Sequence, residues 1–183
     1  MKLIVTVGMP GSGTDELAEV ARRMDLASLK MGDLVRDETR RRGLQLTNQN
    51  IARIATEERE KHGPGVWAQR ALPKITETKM LVYGCRSDSE VTVFRHHFGD
   101  LYVLAVYSSP EARYDRMVRR SQAQNGPGLQ EFYERDRREL KWGIGNALAL
   151  ADGMLVNEGS LDEFRTKARE ALERILEDDR RDD

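Results

Sequence analysis

A glycine-rich turn near the start of the chain has the residue types that suit anion binding. It consists of Gly8, Met9, Pro10, Gly11, Ser12 and Gly13. Glycines let successive backbone N–H groups curl around an anion, and the positive end of a following helix adds to the attraction. The turn matches the first and sixth positions of the phosphate-loop pattern G-x-x-x-x-G-K-S/T. We therefore predict a main-chain phosphate cradle at residues 8–13.

The two residues after this turn depart from the pattern. Thr14 stands where the pattern has lysine, and Asp15 stands where it has serine or threonine. The lysine would bind the phosphoryl group while it is transferred, and the hydroxyl would bind the magnesium ion. Losing one charge-assisted donor costs about 1.5–3 kcal/mol of binding. Two interpretations of Asp15 stay open: a metal-binding residue within a nucleotide site at residues 8–15, or an ordinary residue in the first turn of a helix.

The elements that must position this turn follow from the pattern of apolar residues. Short apolar and β-branched runs predict five strands, at residues 3–7, 26–29, 80–83, 101–107 and 154–156. Helical spacing predicts helices at residues 15–24, 34–42, 66–75, 90–97, 111–120, 129–141 and 161–176, with another long helix opening after residues 47–48. Strands that alternate with helices imply right-handed crossovers and a parallel sheet covered on both faces. Ligands then bind at the carboxyl ends of the strands.

The predicted fold class is three-layer α/β with a parallel five-stranded sheet. A chain of 183 residues supports one substantial core, so we expect a single domain at residues 1–176. Residues from about 40 to 75 are expected to form a helical insertion on the sheet. Residues 177–183 are expected to form a charged, solvated tail.

Composition and charge restrict the class of protein. Hydrophobic residues make up 39% and charged residues 33%, which is typical of a soluble globular chain. The net charge of -1 gives no overall attraction to nucleic acid or to an anionic membrane, so phosphate recognition must be local. Cys85 is the single cysteine, which excludes an internal disulfide. No apolar run approaches the roughly 20 residues of a transmembrane helix, and we expect a cytoplasmic protein.

Several motifs together resemble an archaeal adenylate-kinase-related P-loop family, and they are similar to dephospho-coenzyme-A kinases and nucleoside monophosphate kinases. The likeness spans almost the whole chain. It rests on residues 8–13, 31–36, 84–87, 109–116, 135–140, 143–145 and 152–158. The resemblance implies a P-loop nucleotide-kinase-like fold, with ATP and Mg²⁺ as cofactors and an adenine nucleotide or related phosphorylated small molecule as ligand. It also implies a small lid at about residues 120–140.

The resemblance assigns an acceptor-binding role to Arg36 and Arg86, and Arg86 is also a candidate catalytic residue. A planar guanidinium suits this role because it binds phosphate with two hydrogen bonds. Arg36 has an alternative role on a solvated helix face. Asp33 falls in the same acceptor-side region, where it is a candidate substrate-binding residue and metal ligand, or instead the N-cap of a helix at Leu34.

Arginines in or beside the predicted lid are candidate ligands of the donor phosphates. They are Arg116, Arg120, Arg135 and Arg138, of which Arg120 and Arg138 are candidate catalytic residues. Arginines that alternate with acids also form salt-bridged surfaces. Asn157 resembles the position that contacts the adenine ring, although an asparagine after a strand is equally common in turns.

A second departure from the kinase pattern lies at the end of the third strand. Tyr83 precedes Gly84 where the pattern has aspartate, and a tyrosine cannot organise magnesium in the same way. Two hypotheses therefore remain: an ATP-dependent phosphotransferase with a degenerate phosphate loop, or a catalytically inactive nucleotide-binding sensor or partner-binding module. Binding of nucleic acid through the arginines at residues 40–42 and 137–138 is a weaker alternative, and the sequence does not indicate an oligomeric state.

Overall fold

Five strands form the centre of the protein. A computed structural model describes residues 1–120 and 128–178, apart from the side chain of Arg120. The strands are β1 (Lys2–Val7), β2 (Ala27–Lys30), β3 (Lys79–Cys85), β4 (Asp100–Tyr107) and β5 (Gly153–Val156). Their order in the sheet is β2-β3-β1-β4-β5, and every pair is parallel. The predicted parallel five-stranded sheet is confirmed.

The central position of β1 explains its composition. Val5 pairs with Val82 of β3 on one side and with Val103 of β4 on the other. Every residue of β1 is buried. A strand that is covered on both faces and both edges contains an almost continuous run of apolar residues rather than an alternating pattern.

Helices follow or precede each strand. They are α1 (Thr14–Arg23), α2 (Met31–Arg41), α3 (Asn48–His62), α4 (Val66–Ala71), α5 (Asp88–His97), α6 (Pro110–Arg120), α7 (Leu129–Trp142), α8 (Ile144–Ala149) and α9 (Leu161–Glu177). Side-chain caps fix several helix starts. Thr47 and Ser87 each accept a hydrogen bond from the backbone three residues later, and Ser160 forms a capping box with Glu163. No helix in the described ranges is long and apolar enough to span a bilayer.

Two hydrophobic clusters cover the two faces of the sheet and complete the three layers. Leu17 of α1 and Leu172 of α9 pack on one face. Trp67 of α4 and Phe94 of α5 pack on the other face, beneath α2 and α3. All four side chains are almost fully buried. Since each is a large apolar residue, the two clusters supply the main hydrophobic stabilisation of the domain.

The helices differ from the sequence prediction at three places. The helix predicted over residues 66–75 ends at Ala71 and continues as a 3-10 turn over Leu72–Lys74, because Pro73 lacks a backbone N–H donor. Helix α8 was not predicted, since Gly143 and Gly145 are poor helix formers. Helix α2 begins at Met31, so Asp33 lies in its first turn and is not an N-cap residue.

The predicted insertion contains the end of α2, α3 and α4, and it lies over one face of the sheet. The predicted lid includes α7, whereas residues 121–127 lie outside the described residues. Helix α9 extends to Glu177, and residues 179–183 of the predicted tail also lie outside them. Insertion and lid remain predictions as functional units.

Candidate phosphate-binding site

The glycine-rich turn joins the carboxyl end of β1 to the amino end of α1. Gly11 and Gly13 have φ angles of 82° and 118°, which favour glycine. A Cβ atom on Gly13 would meet the amide nitrogen of Asn157 and the ring of Phe164. Gly13 is also the N-cap of α1, so the turn directs the positive end of this helix towards the sheet edge where ligands bind.

Asn157 and Arg116 support the turn from the side of β5. The Asn157 Nδ2 atom donates to the backbone oxygen of Ser12 at 2.8 Å, and the side chain is only 6% exposed. Arg116 donates to the backbone oxygen of Asn157 at 2.6 Å and to the Ser108 hydroxyl at 2.8 Å. These contacts make Asn157 a support for the turn, and its expected contact with an adenine ring stays a prediction.

Arg113 fastens the turn to α7. Its Nη1 atom donates to the backbone oxygen of Pro10 at 3.1 Å. The same guanidinium forms two hydrogen bonds with Asp136, at 2.9 and 2.5 Å, and stacks against Phe132. The position of Arg113 within a shared motif was the sole sequence signal for this role.

Arg86 reaches the phosphate turn from the end of β3. Its Nη1 atom donates to the backbone oxygen of Gly8 at 2.8 Å. Its backbone N–H donates to Glu90 Oε2 at 2.7 Å, and its Nε atom lies 3.5 Å from Glu139 Oε2. The structure thus brings Arg86 to the loop.

Two arginines flank the carboxylate of Glu139, and a third, Arg138, lies near Arg135. Arg86 and Arg135 lie 3.5 and 3.9 Å from the two oxygens of Glu139. Partial burial lowers the pKa of Arg135, and the like charges of Arg86 and Arg138 lower it further against the opposing effect of Glu139. Among the described residues, Arg138 Nε is a buried donor that has no hydrogen-bond partner. Glu139 Oε2 is likewise a buried acceptor without a hydrogen-bond partner in the described part of the chain. The cluster therefore has more positive than negative charge, with one donor and one acceptor unsatisfied.

A second charged cluster lies at the other end of the turn. Lys30 Nζ lies 2.5 Å from Asp15 Oδ1, and Arg36 Nη1 lies 2.9 Å from Asp33 Oδ1. The ring of Tyr83 is near both carboxylates. Burial raises the pKa of Tyr83, and the negative charges of Asp15 and Asp33 raise it further.

These carboxylates do not by themselves form a metal site. In the described part of the chain, no group of three or more His, Cys, Asp or Glu side chains could hold a metal ion. Asp15 and Asp33 are each paired with a cationic side chain. A Mg²⁺ ion that binds nucleotides keeps several waters and uses few protein ligands, so an ion here would be held mainly by phosphates and water. The metal roles of Asp15 and Asp33 stay predictions.

A cavity of about 700 Å³ opens between α3 and α7. Its walls include Thr56, Arg59, Glu60, Arg137, Arg138, Lys141 and Trp142. Arg59 stacks on Trp142 at 4.3 Å and donates to Glu90 Oε1 at 2.6 Å. Glu90 thereby binds both the cavity wall and the backbone of Arg86. Sequence reasoning missed Arg59, because its partners lie on distant elements.

The structure brings some of the predicted site residues together and leaves others apart. Arg86 and Asn157 contact the phosphate turn, whereas Arg138 lies at the wall of the cavity. Arg36 and Asp33 form an exposed ion pair with each other beside Tyr83 and are not among the residues that line the cavity. The side chain of Arg120 lies outside the described residues.

Comparison with known proteins agrees with this geometry. Residues 7–128 match a family model described as an AAA domain. A UPF0200 protein from Hyperthermus butylicus is 44% identical over 176 residues, which cover 94% of each chain. The chain belongs to the UPF0200 family. It is therefore a P-loop protein of a family with archaeal members, and the resemblance to P-loop kinases is confirmed at the level of fold.

Solved structures with the same fold include two small-molecule kinases. A gluconokinase from Sinorhizobium meliloti 1021 has a TM-score of 0.62 at 16% identity, covering 95% of this chain and 93% of that one. A shikimate kinase from Acinetobacter baumannii, in complex with shikimate, has a TM-score of 0.60 at 17% identity, covering 98% and 96%. At these low identities, the two matches show that this UPF0200 protein shares their fold.

Proposed function

We propose that this protein binds the phosphates of an adenine nucleotide on residues 8–15 and transfers a phosphoryl group to a small phosphorylated or nucleoside-type acceptor. The observation that carries the proposal is that Arg86 and Arg135 share the single carboxylate of Glu139, with the charge of Arg138 close to Arg135. Like charges held close together are stabilised by a bound anion. Arg86 connects this cluster to the turn at Gly8, which suits binding of the outer phosphates of ATP.

The cavity between α3 and α7 is the proposed acceptor site. It shares Arg138 with the arginine cluster, so an acceptor there would lie next to the phosphates. Glu60 and Glu134 on its wall are outnumbered by four cationic side chains, which favours an anionic acceptor. The adenylate-kinase and dephospho-coenzyme-A-kinase resemblances suggest nucleoside monophosphates and dephospho-coenzyme A as the first candidates. ATP, with Mg²⁺ bound to its phosphates, would supply the phosphoryl group.

Calorimetry and an assay of ADP formation test the two parts of the proposal separately. ATP and ADP, titrated with and without Mg²⁺, are expected to bind with measurable heat. ADP formation is then measured with AMP, other nucleoside monophosphates and dephospho-coenzyme A as acceptors. Absence of any nucleotide binding would contradict the whole proposal, whereas binding without turnover would contradict the transfer step.

A second candidate function is nucleotide binding without transfer, and the residues Thr14, Asp15 and Tyr83 favour it. The three differ from the lysine, hydroxyl and aspartate that phosphoryl transfer normally uses. The combined variant Thr14→Lys, Asp15→Ser, Tyr83→Asp is expected to raise ATP affinity or ADP formation under either function. Only the phosphotransferase shows turnover before the substitutions. A wild-type protein that binds ATP but gains turnover only in the variant is an inactive binder.

A further inference from the structure

We propose that Lys30 provides the cation that the phosphate loop lacks at Thr14, and that it also neutralises the charge of Asp15. This inference rests on the proposed nucleotide binding and assigns a residue to it. The positive charge is supplied by β2, the next strand along the chain, rather than by the loop itself.

The fold places Lys30 beside the first turn of α1. Lys30 is the last residue of β2, at the carboxyl edge of the sheet, and Asp15 is the second residue of α1. Lys30 Nζ lies 2.5 Å from Asp15 Oδ1 and 5.5 Å from the centre of the Tyr83 ring. The two charged side chains are 30% and 55% exposed, so a ligand can reach the pair from solvent.

The charges of the pair explain why it suits a phosphate site. Asp15 alone would repel a bound phosphate, because its carboxylate lies directly after the anion-binding turn. Lys30 cancels that charge. An ammonium group has three donors on a flexible four-carbon stem. It can therefore keep one hydrogen bond to Asp15 while another points to a phosphate oxygen.

An ordinary surface ion pair is the alternative. Such a pair contributes only about 0–1 kcal/mol to stability, and its loss would leave nucleotide affinity unchanged. Nucleotide affinity therefore separates the two roles better than stability does.

The test compares Lys30→Met with Lys79→Met by calorimetry, using ADP, ATP and inorganic pyrophosphate as probes. Lys79 is an exposed lysine at the first position of β3, so it lies at the opposite, amino edge of the same parallel sheet. Lys30→Met is expected to weaken binding of each probe roughly tenfold or more, as loss of one charge-assisted hydrogen bond does. Lys79→Met is expected to bind like the wild type, and thermal unfolding checks that both variants are folded.

A rescue experiment tests the role of the missing loop lysine directly. Adding Thr14→Lys to Lys30→Met returns a cation to the phosphates from the loop, so we expect most of the lost affinity to return. This double variant keeps the inference testable even if Lys30→Met alone is less stable.

The outcomes distinguish this inference from the proposed function. A wild type that binds nucleotide and a Lys30→Met variant that binds equally well would overturn the role of Lys30 alone. An equal loss in Lys79→Met, or no recovery in the double variant, would also overturn it. A wild type that binds none of the probes would overturn the proposed function, and the role of Lys30 with it.

Discussion

Asp15 has two alternative roles, because a carboxylate beside the loop can bind either a metal ion or the Lys30 ammonium group. The structure pairs it with Lys30 at 2.5 Å. In the first case the carboxylate helps a metal–nucleotide complex to bind. In the second it is an anion beside other anions, and its charge weakens phosphate binding. Replacing it with a neutral amide separates the two cases.

Asp15→Asn is expected to tighten ADP binding without Mg²⁺ by roughly three- to tenfold, because the variant removes a like charge and leaves Lys30 to the phosphates. Calorimetry with ADP alone and with Mg²⁺–ADP measures the effect. If Asp15 is instead a metal ligand, the variant weakens Mg²⁺–ADP binding, and that result would contradict this prediction.

Arg135 gives a second prediction at the residue scale. It is partly exposed, and its positive charge lies near Arg86 and Arg138. Arg135→Met is expected to lower ATP affinity roughly tenfold, while the free energy of unfolding without nucleotide stays within about 0.5 kcal/mol of the wild type or rises. Arg169→Met, on the exposed surface of α9, serves as the control. A parallel loss of stability and affinity would show that Arg135 is structural.

Helices α2 and α3 are joined by charged side chains at the end of α2. Glu38 accepts hydrogen bonds from Arg41 at 2.7 Å and from Arg42 at 2.8 Å, and Glu58 pairs with Arg42 and Arg70. These bonds hold the pKa of the buried Glu38 carboxyl at about 2, chiefly through Arg41. The position of α3, and with it one wall of the cavity, thus depends on ionised carboxylates.

Acid is expected to weaken this connection between helices. Because the pKa of Glu38 is depressed in the folded state, its contribution is complete above the ordinary value of 4.5 and is lost as the pH falls towards 2. Glu38→Gln should therefore be less stable than the wild type by about 1 kcal/mol at pH 6, because solvent around the exposed Arg41 screens the pair, with the difference shrinking towards pH 2. Urea unfolding between pH 2 and pH 6 measures this. A difference that does not change with pH would contradict it.

At the scale of the whole molecule, the phosphate turn and the cavity lie on elements that are distant in sequence but meet at one edge of the sheet. Helix α7 takes part in both places, since Asp136 binds the arginine that holds the turn and Trp142 lines the cavity. Ligands at the two places are therefore expected to contact the same helix.

Trp142 provides a signal for occupancy of the cavity. The chain contains two tryptophans, and Trp67 is 1% exposed in the core. In a Trp67→Phe variant, AMP is expected to protect the remaining fluorescence from acrylamide quenching, because the ligand covers the half-buried indole. A Trp142→Phe variant should show no such change. Unchanged quenching at an AMP concentration that saturates the calorimetric signal would place AMP elsewhere.

Much of the fold could be predicted from the sequence, because the apolar runs and helical spacing are local signals. The phosphate turn could also be predicted, because glycines spaced between a strand and a helix are a local sequence signal for an anion-binding turn. Helix α8 was missed because Gly143 and Gly145 oppose helix formation locally, while burial of Ile144 and Ala147 favours it. The pairing of Lys30 with Asp15 required three-dimensional placement, because the two residues belong to elements joined only through the fold.

One carboxylate connects the two halves of the candidate site. Glu90 accepts a hydrogen bond from Arg59 on the cavity side and another from the backbone of Arg86 on the phosphate side. A displacement of Glu90 would disturb Arg59 and Arg86 together. If both places bind ligands as proposed, a substitution that alters one of them is expected to affect the other, so the two would tend to change together during evolution.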